Sequence, residues 1–247
     1  GLYYAINFLR ENAGIDNLSY LSSPFLLITI AVYWIQKKNE VLTPEEENKL
    51  LRWFYLAHMR GHYSMGSSES ILEADLGVLF RGKTLDDLIQ QLLLHVKKSD
   101  VDSDDLFGRG IRSPFFSMLY LVLKAGGAKD WFTGLPLSQN HIGKSHSIQF
   151  HHSFPKALLK EKNFDRKDIN ELANMAFIGG KTNRKITDKA PEIYFKKIIE
   201  EKGEGALTSQ LILMEESYWN IDNFLVFIQK RRELIAEEIN KFMKKFE

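Results

Sequence analysis

Over roughly the first 125 residues, apolar positions recur three and four apart between capping and stop residues, a pattern that predicts a series of amphipathic helices. The chain opens on Leu2-Tyr3-Tyr4-Ala5-Ile6-Asn7-Phe8-Leu9, amphipathic from its first turn. Residues 24–35 form the longest apolar stretch and run into Gln36-Lys37-Lys38, as a buried helix ending at a surface would. Thr43-Pro44-Glu45-Glu46 reads as a capping box with proline at the first helical position, so a helix should run to about Arg60, where Gly61 ends it. Ser67 or Ser68 caps the next, with Ile71, Leu72, Leu76 and Leu79 on one face. Thr84 with Asp87 starts another through Leu94. Ser113-Pro114 opens the apolar run 115–123, which Gly126-Gly127 closes. Residues 100–105 carry four Asp but lack the glycine and terminal glutamate of a calcium loop, so they predict a solvated turn.

The pattern changes after Trp131. Gly134, Pro136 and the polar residues 138–145 predict a loop, and the alternation Ile148-Gln149-Phe150 predicts a short strand. Met175-Ala176-Phe177-Ile178 predicts a second strand, closed by Gly179-Gly180. A helix should follow over about 181–189 and, past Ala190-Pro191, another from Pro191 to Lys202. Gly203 and Gly205 separate off a C-terminal helical region. Its long last helix should start near Asn220 or Asp222 and bury Phe224, Phe227, Ile228, Leu234, Ile235 and Ile239. The expected fold is α+β and mostly α-helical: a helical domain over 1–135, a small strand–strand–helix core over 136–202, and C-terminal helices over 203–247 that pack on the rest.

Composition narrows the function classes. With 247 residues, 44% hydrophobic and 26% charged, the chain can fold as one large domain or two small ones. The absence of cysteine excludes disulfides, zinc–thiolate sites and thiol nucleophiles, and fits a reducing cytoplasm. No apolar stretch approaches the ~20 residues of a membrane-spanning helix, and no signal peptide is visible. The expectation is a cytoplasmic protein without a membrane partner. Overall charge, 33 Lys and Arg against 32 Asp and Glu, names no partner. Locally it does more: residues 141–199 hold twelve Lys or Arg and six Asp or Glu, a net of +6 that leaves −5 for the rest. A basic patch there is what a phosphate-backbone partner requires, although a solvated lysine face reads the same way.

Four of the seven histidines fall in this basic stretch, at His141, His146, His151 and His152. His151-His152-Ser153-Phe154-Pro155 lies where the first strand should end. Neighbouring residues on a strand point to opposite faces, so both imidazoles can serve one site only if the chain turns there, as Pro155 suggests. Asn174 precedes the second strand, and Asn183 stands in the first turn of the helix after it. Taken singly, these would be a surface pair and ordinary turn and cap residues. His141 and His146 read as polar loop residues.

Taken together, His-His-x-x-Pro, Leu-Ala-Asn-Met before a strand and Thr-Asn-Arg-Lys entering a helix resemble the HNH, or ββα-metal, nucleases. The similarity is greatest to the C-terminal half of GmrSD-type modification-dependent restriction enzymes, over roughly residues 148–194. The resemblance implies a metal-dependent DNA endonuclease of restriction or anti-phage defence. In it His152 takes the general-base position, Asn174 holds the loop or orients the His152 ring, and His151 and Asn183 are the metal ligands. Lys181, Arg184, Lys185 and Lys189 would grip phosphates, helped by the helix N-terminus. It implies one divalent ion, Mg2+ or Mn2+. Many such sites carry a carboxylate where His151 stands, and an imidazole makes Ni2+, Co2+ or Zn2+ acceptable as well. Related proteins carry an N-terminal nucleotide-dependent lobe, so the chain is expected to be the C-terminal part of a larger enzyme. Two alternatives stand beside this: a DNA-binding module that does not cut, and a ribonuclease of the HEPN type using Arg52 and His58.

Overall fold

In the computed structural model, which describes residues 1–138, 140 and 144–247, the chain is mostly helical with one two-stranded antiparallel sheet, an α+β fold. It divides into two compact units, residues 1–101 with 240–247, and residues 102–239.

The first unit holds α1 (Leu2–Asn12), α2 (Phe25–Gln36), α3 (Pro44–Met59), α4 (Ser68–Phe80) and α5 (Leu85–Val96). Local chemistry sets their ends. Thr43 Oγ1 accepts from the Glu46 amide while Glu46 reaches back to the Thr43 amide, and Thr84 with Asp87 does the same for α5. Gly61, at φ +61°, takes the left-handed turn past α3 that a side chain would resist. Trp53, Phe54 and Tyr55 are all buried. Arg52 and His58 share no site. Six residues turn a helix by ~240°, so they leave α3 on different sides. Arg52 pairs with Glu247 at 3.4 Å, whereas His58 is wholly buried, stacked on Phe54, and takes a hydrogen bond from the Ser22 amide at its Nδ1 (3.2 Å). The ribonuclease alternative therefore finds no paired Arg and His here.

The second unit holds α6 (Ser103–Leu106), α7 (Pro114–Ala125), β1 (Ile148–His152), α8 (Lys156–Glu161), α9 (Arg166–Ile169), β2 (Met175–Gly179), α10 (Gly180–Ile186), α11 (Pro191–Lys202), α12 (Gly205–Thr208) and most of α13 (Phe224–Met243). The acidic segment is more ordered than the expected turn: Asp102 and Asp105 form a capping box that opens α6. The unit also begins earlier than residue 136, because α7 supplies a wall of the sheet's core. Phe116 packs on Phe150 and Phe177 at 4.8 and 5.0 Å, and Tyr120 on Phe177 at 5.4 Å. Residues 203–239 belong to it for a similar reason. Phe154 packs against both Phe224 and Phe227 of α13.

β1 and β2 pair from Ile148↔Gly179 to His152↔Met175. The other edge of β2 is closed by a side chain: Gln210 accepts from the Phe177 amide and donates to its carbonyl, both at 2.8 Å, in place of a third strand. Arg231, fully buried, donates to the carbonyls of Ala173, Gln210 and Leu211, so its charge is spread over three backbone oxygens. Together Gln210 and Arg231 fix β2 and the turn before it.

Candidate active site

β1 stays regular through His152, so its alternation sends the two histidines to opposite faces, Gln149 and His151 to one and Phe150 and His152 to the other. On the first face α10 closes over the sheet. His151 Nδ1 lies 2.8 Å from Asn183 Oδ1, and Asn183 Nδ2 donates to Gln149 Oε1 at 2.6 Å. The His151 ring meets Trp131 and Tyr194 edge-on at 6.0 and 5.9 Å and is 7% exposed. Burial pushes its pKa down to about 4 against the opposing hydrogen bond that Nδ1–H donates to Asn183 Oδ1, so the ring is neutral at pH 7. Its Nε2 is buried and has no hydrogen-bond partner among the described residues. The polar ring is therefore held chiefly through Nδ1, the atom that faces Asn183.

The position of Asn183 is in turn set by Asp130. One carboxylate oxygen accepts from the Gly179 amide (2.6 Å), the other from Thr182 Oγ1 (2.5 Å) and the Thr133 amide (2.7 Å). Burial alone would raise this carboxyl, but those hydrogen bonds outweigh it and hold it ionised below its usual value. Asp130 thus ties the junction of β2 and α10 to the turn before β1. Sequence gave no hint of it, since an isolated Asp before a Trp carries no spacing signal.

His152 is half-buried, and its Nε2 lies 3.3 Å from Asn170 Oδ1. Asn170 Nδ2 donates to the Arg166 carbonyl at 2.7 Å, which leaves its oxygen for His152. Nε2 must then carry the proton, and Nδ1 is the basic nitrogen. Burial lowers the His152 pKa, the Asn170 hydrogen bond opposes, and nearby Lys156 adds to the lowering. His151 and His152 are close enough that the charge of His152 disfavours charge on His151.

Among the described residues the Asn174 side chain makes no hydrogen bond to the His152 ring; it bonds the loop that follows. Its Oδ1 accepts from the Phe154 amide (2.8 Å), and its Nδ2 donates to the carbonyls of Phe154 (3.2 Å) and Ile169 (2.9 Å). It is fully buried and staples the chain just past His152 to the end of α9. The ring-holding part falls to Asn170, a residue with no signal in the sequence.

The four expected phosphate-binding cations are spread out. Lys181 and Lys189 are exposed, the latter beyond α10, which ends at Ile186 because Thr187 turns to φ +56°. Lys185 is paired with Glu201 at 2.7 Å and lies over the Phe132 ring, while Arg184 reaches Ser145 Oγ at 3.3 Å. The first turn of α10 is also occupied. The Lys181 amide donates to the Ser145 carbonyl at 2.8 Å, and a Cβ on Gly180 would collide with the Lys144 carbonyl oxygen. One of the first-turn amides of this helix is thus already taken by Ser145. His146 is exposed and lies beside Lys181 and Lys185; His141 is outside the described residues.

Other cations share a cleft with His152. A cleft of about 850 Å3 opens beside it, lined among others by Arg112, Arg166, Lys167, Gln149 and Phe150. Arg112 stands just ahead of the cap of α7, and Arg166 and Lys167 on the connection between the strands. Only folding brings them together. Among the described residues no group of three or more His, Asp or Glu converges in the manner of a closed metal site. No helix among them is long and apolar enough to cross a membrane.

No family model matches the chain, and no solved structure matches it. The chain is similar to an uncharacterized protein of Methanocaldococcus jannaschii, 28% identical over 119 residues, a match covering 38% of this chain and 20% of that protein. The aligned part thus spans about a fifth of that relative's length.

Proposed function

We propose that the second unit is a one-metal endonuclease site of the HNH kind, acting on DNA in restriction or anti-phage defence. The observation that carries the reading is the 2.8 Å approach of His151 Nδ1 to Asn183 Oδ1, made by a strand end and a helix far apart in sequence, with His152 next in the chain. Two adjacent ligands of an octahedral ion at ~2.0–2.1 Å stand about 2.8–3.0 Å apart, so the separation of this pair matches that of two ligands on one divalent cation once both lone pairs turn from each other toward it. The His151 Nδ1 proton would have to leave that atom, and a neutral imidazole can move it to Nε2. A donor set of one imidazole and one amide suits Mn2+, Ni2+, Co2+ or Zn2+ at least as well as Mg2+. When bound, the ion would offset charge developing on the scissile phosphate and its leaving oxygen.

The chain's own groups supply the rest. Asn170 holds the His152 Nε2 proton, so Nδ1 is available to take a proton from an attacking water. Burial and Lys156 keep that ring unprotonated at neutral pH. Asn174 fixes the turn that follows, and Asp130 fixes the helix that carries Asn183. The test is a plasmid-cleavage assay with this chain across Mg2+, Mn2+, Ni2+, Co2+ and Zn2+. Metal-dependent cutting that chelation stops is expected, with His151→Ala and Asn183→Ala each raising the metal concentration needed. DNA bound but uncut under every ion would instead support a binding module, and equal metal requirements in parent and variants would contradict the ligand assignment.

A further inference from the structure

We propose that the cleft beside His152 receives an unstacked nucleotide, so that the strand to be cut enters single-stranded or with one nucleotide turned out of the duplex. This rests on the nuclease reading for its chemistry and goes beyond it in naming the form of the substrate. The cleft lies wholly within the second unit, and its volume of about 850 Å3 falls in the range of ~300–1,000 Å3 that encloses a drug-sized molecule. Three of its lining residues are cations, Arg112, Arg166 and Lys167, and none is acidic. An anion is what such a lining selects.

It is also aromatic. Phe150, a neighbour of both histidines, is 39% exposed although it lies in the sheet, and Ile111 across the cleft is 48% exposed. The Phe150 ring is not loose. Phe116 and Phe177 meet it at right angles, at 4.8 and 5.9 Å, and hold its plane. A fixed aromatic ring among cations is how proteins bind unpaired nucleotides, one ring stacking on a base while Arg and Lys follow the backbone. Inside a duplex the base faces are covered by their neighbours, so stacking on this exposed ring takes a base that has left the stack. The phosphate beside that base would then lie next to His152, which lines the same cleft.

The experiment uses the full chain in chelator, so that nothing is cut. Oligonucleotides carry 2-aminopurine at one position, in a single strand and in the matching duplex. Binding of the single strand should change the 2-aminopurine emission. Phe150→Leu should lose that change and weaken affinity by about 5- to 150-fold, the value of one base–aromatic stack, while Phe150→Trp should restore both. The same emission change in the duplex would show a nucleotide turned out; its absence there, with the single strand bound, would show that the strand enters unpaired. Arg112→Ala with Arg166→Ala, both at exposed positions, provides a second arm should Phe150→Leu fold poorly, and should weaken single-strand binding. The inference is overturned if a folded Phe150→Leu binds and responds as the parent does, if the double Arg variant keeps full affinity, or if no single strand binds. These outcomes are separate from the nuclease reading, which stands or falls on cutting that depends on His152.

Discussion

At His152 the place of the proton is decided by a neighbour. Asn170 Nδ2 donates to the Arg166 carbonyl and its Oδ1 accepts from Nε2, leaving Nδ1 as the unprotonated nitrogen. Asn170→Ala should therefore slow cutting, and by less than loss of His152 itself, since the ring remains. Asn170→Asp gives a sharper readout. A carboxylate there favours the imidazolium and raises the His152 pKa, so the acid limb of the pH–rate profile should move to higher pH. In the parent that limb should lie below the ordinary histidine value near 6.5, because burial lowers this group. A profile that does not move in Asn170→Asp would remove Asn170 from the site. The resemblance to the HNH nucleases names His151, His152, Asn174 and Asn183, because each matches a motif residue at a strand or helix end. Asn170 and Asp130 act through contacts that only the folded chain makes, and a lone polar residue in a connection has no period to mark it.

At the scale of elements, caps were legible and closures were not. Thr43, Ser67, Thr84 and Ser113 act within a few residues, so α3, α4, α5 and α7 start where those residues predict. The short helices α8 and α9 were missed, being one or two turns with no sustained period. The approach of residues 144–145 to α10 was missed too, since it depends on Gly180 leaving room. Gly180→Ala should force the two segments apart and cost about 1–3 kcal/mol, read by thermal or denaturant unfolding, with a higher metal requirement because Asn183 moves with α10. An unchanged stability would mean the segment shifts freely.

His58 tests the first unit. Burial holds its pKa at about 4 against ~6.5 unfolded, so between these values the unfolded chain binds more protons. Stability should accordingly be lost as pH falls from about 6.5 to about 4, by roughly 3 kcal/mol from this group, and His58→Leu should flatten that part of the profile. A slope unchanged in His58→Leu would place the acid sensitivity elsewhere.

For the molecule as a whole, near-neutral charge concealed the division between a basic segment of +6 and a remainder of −5. That segment predicts an anionic partner, but not which side chains would meet it. Lys185 spends its charge on Glu201, while Arg112, from outside the basic segment, joins the cleft. Single-strand affinity should fall with log[salt], each phosphate contact contributing about −0.7 to the slope. Arg112→Ala and Arg166→Ala should each flatten it by about one such step and Lys185→Ala by less; the reverse order would return the interface to α10.

The most direct measurement is single-turnover DNA cleavage by His152→Ala beside the parent, with metal in excess and binding measured on the same preparations. The account predicts that the variant binds DNA nearly as the parent does and cuts about 100- to 10,000-fold more slowly, the usual cost of removing a general base. Cleavage by His152→Ala at the parental rate would contradict it.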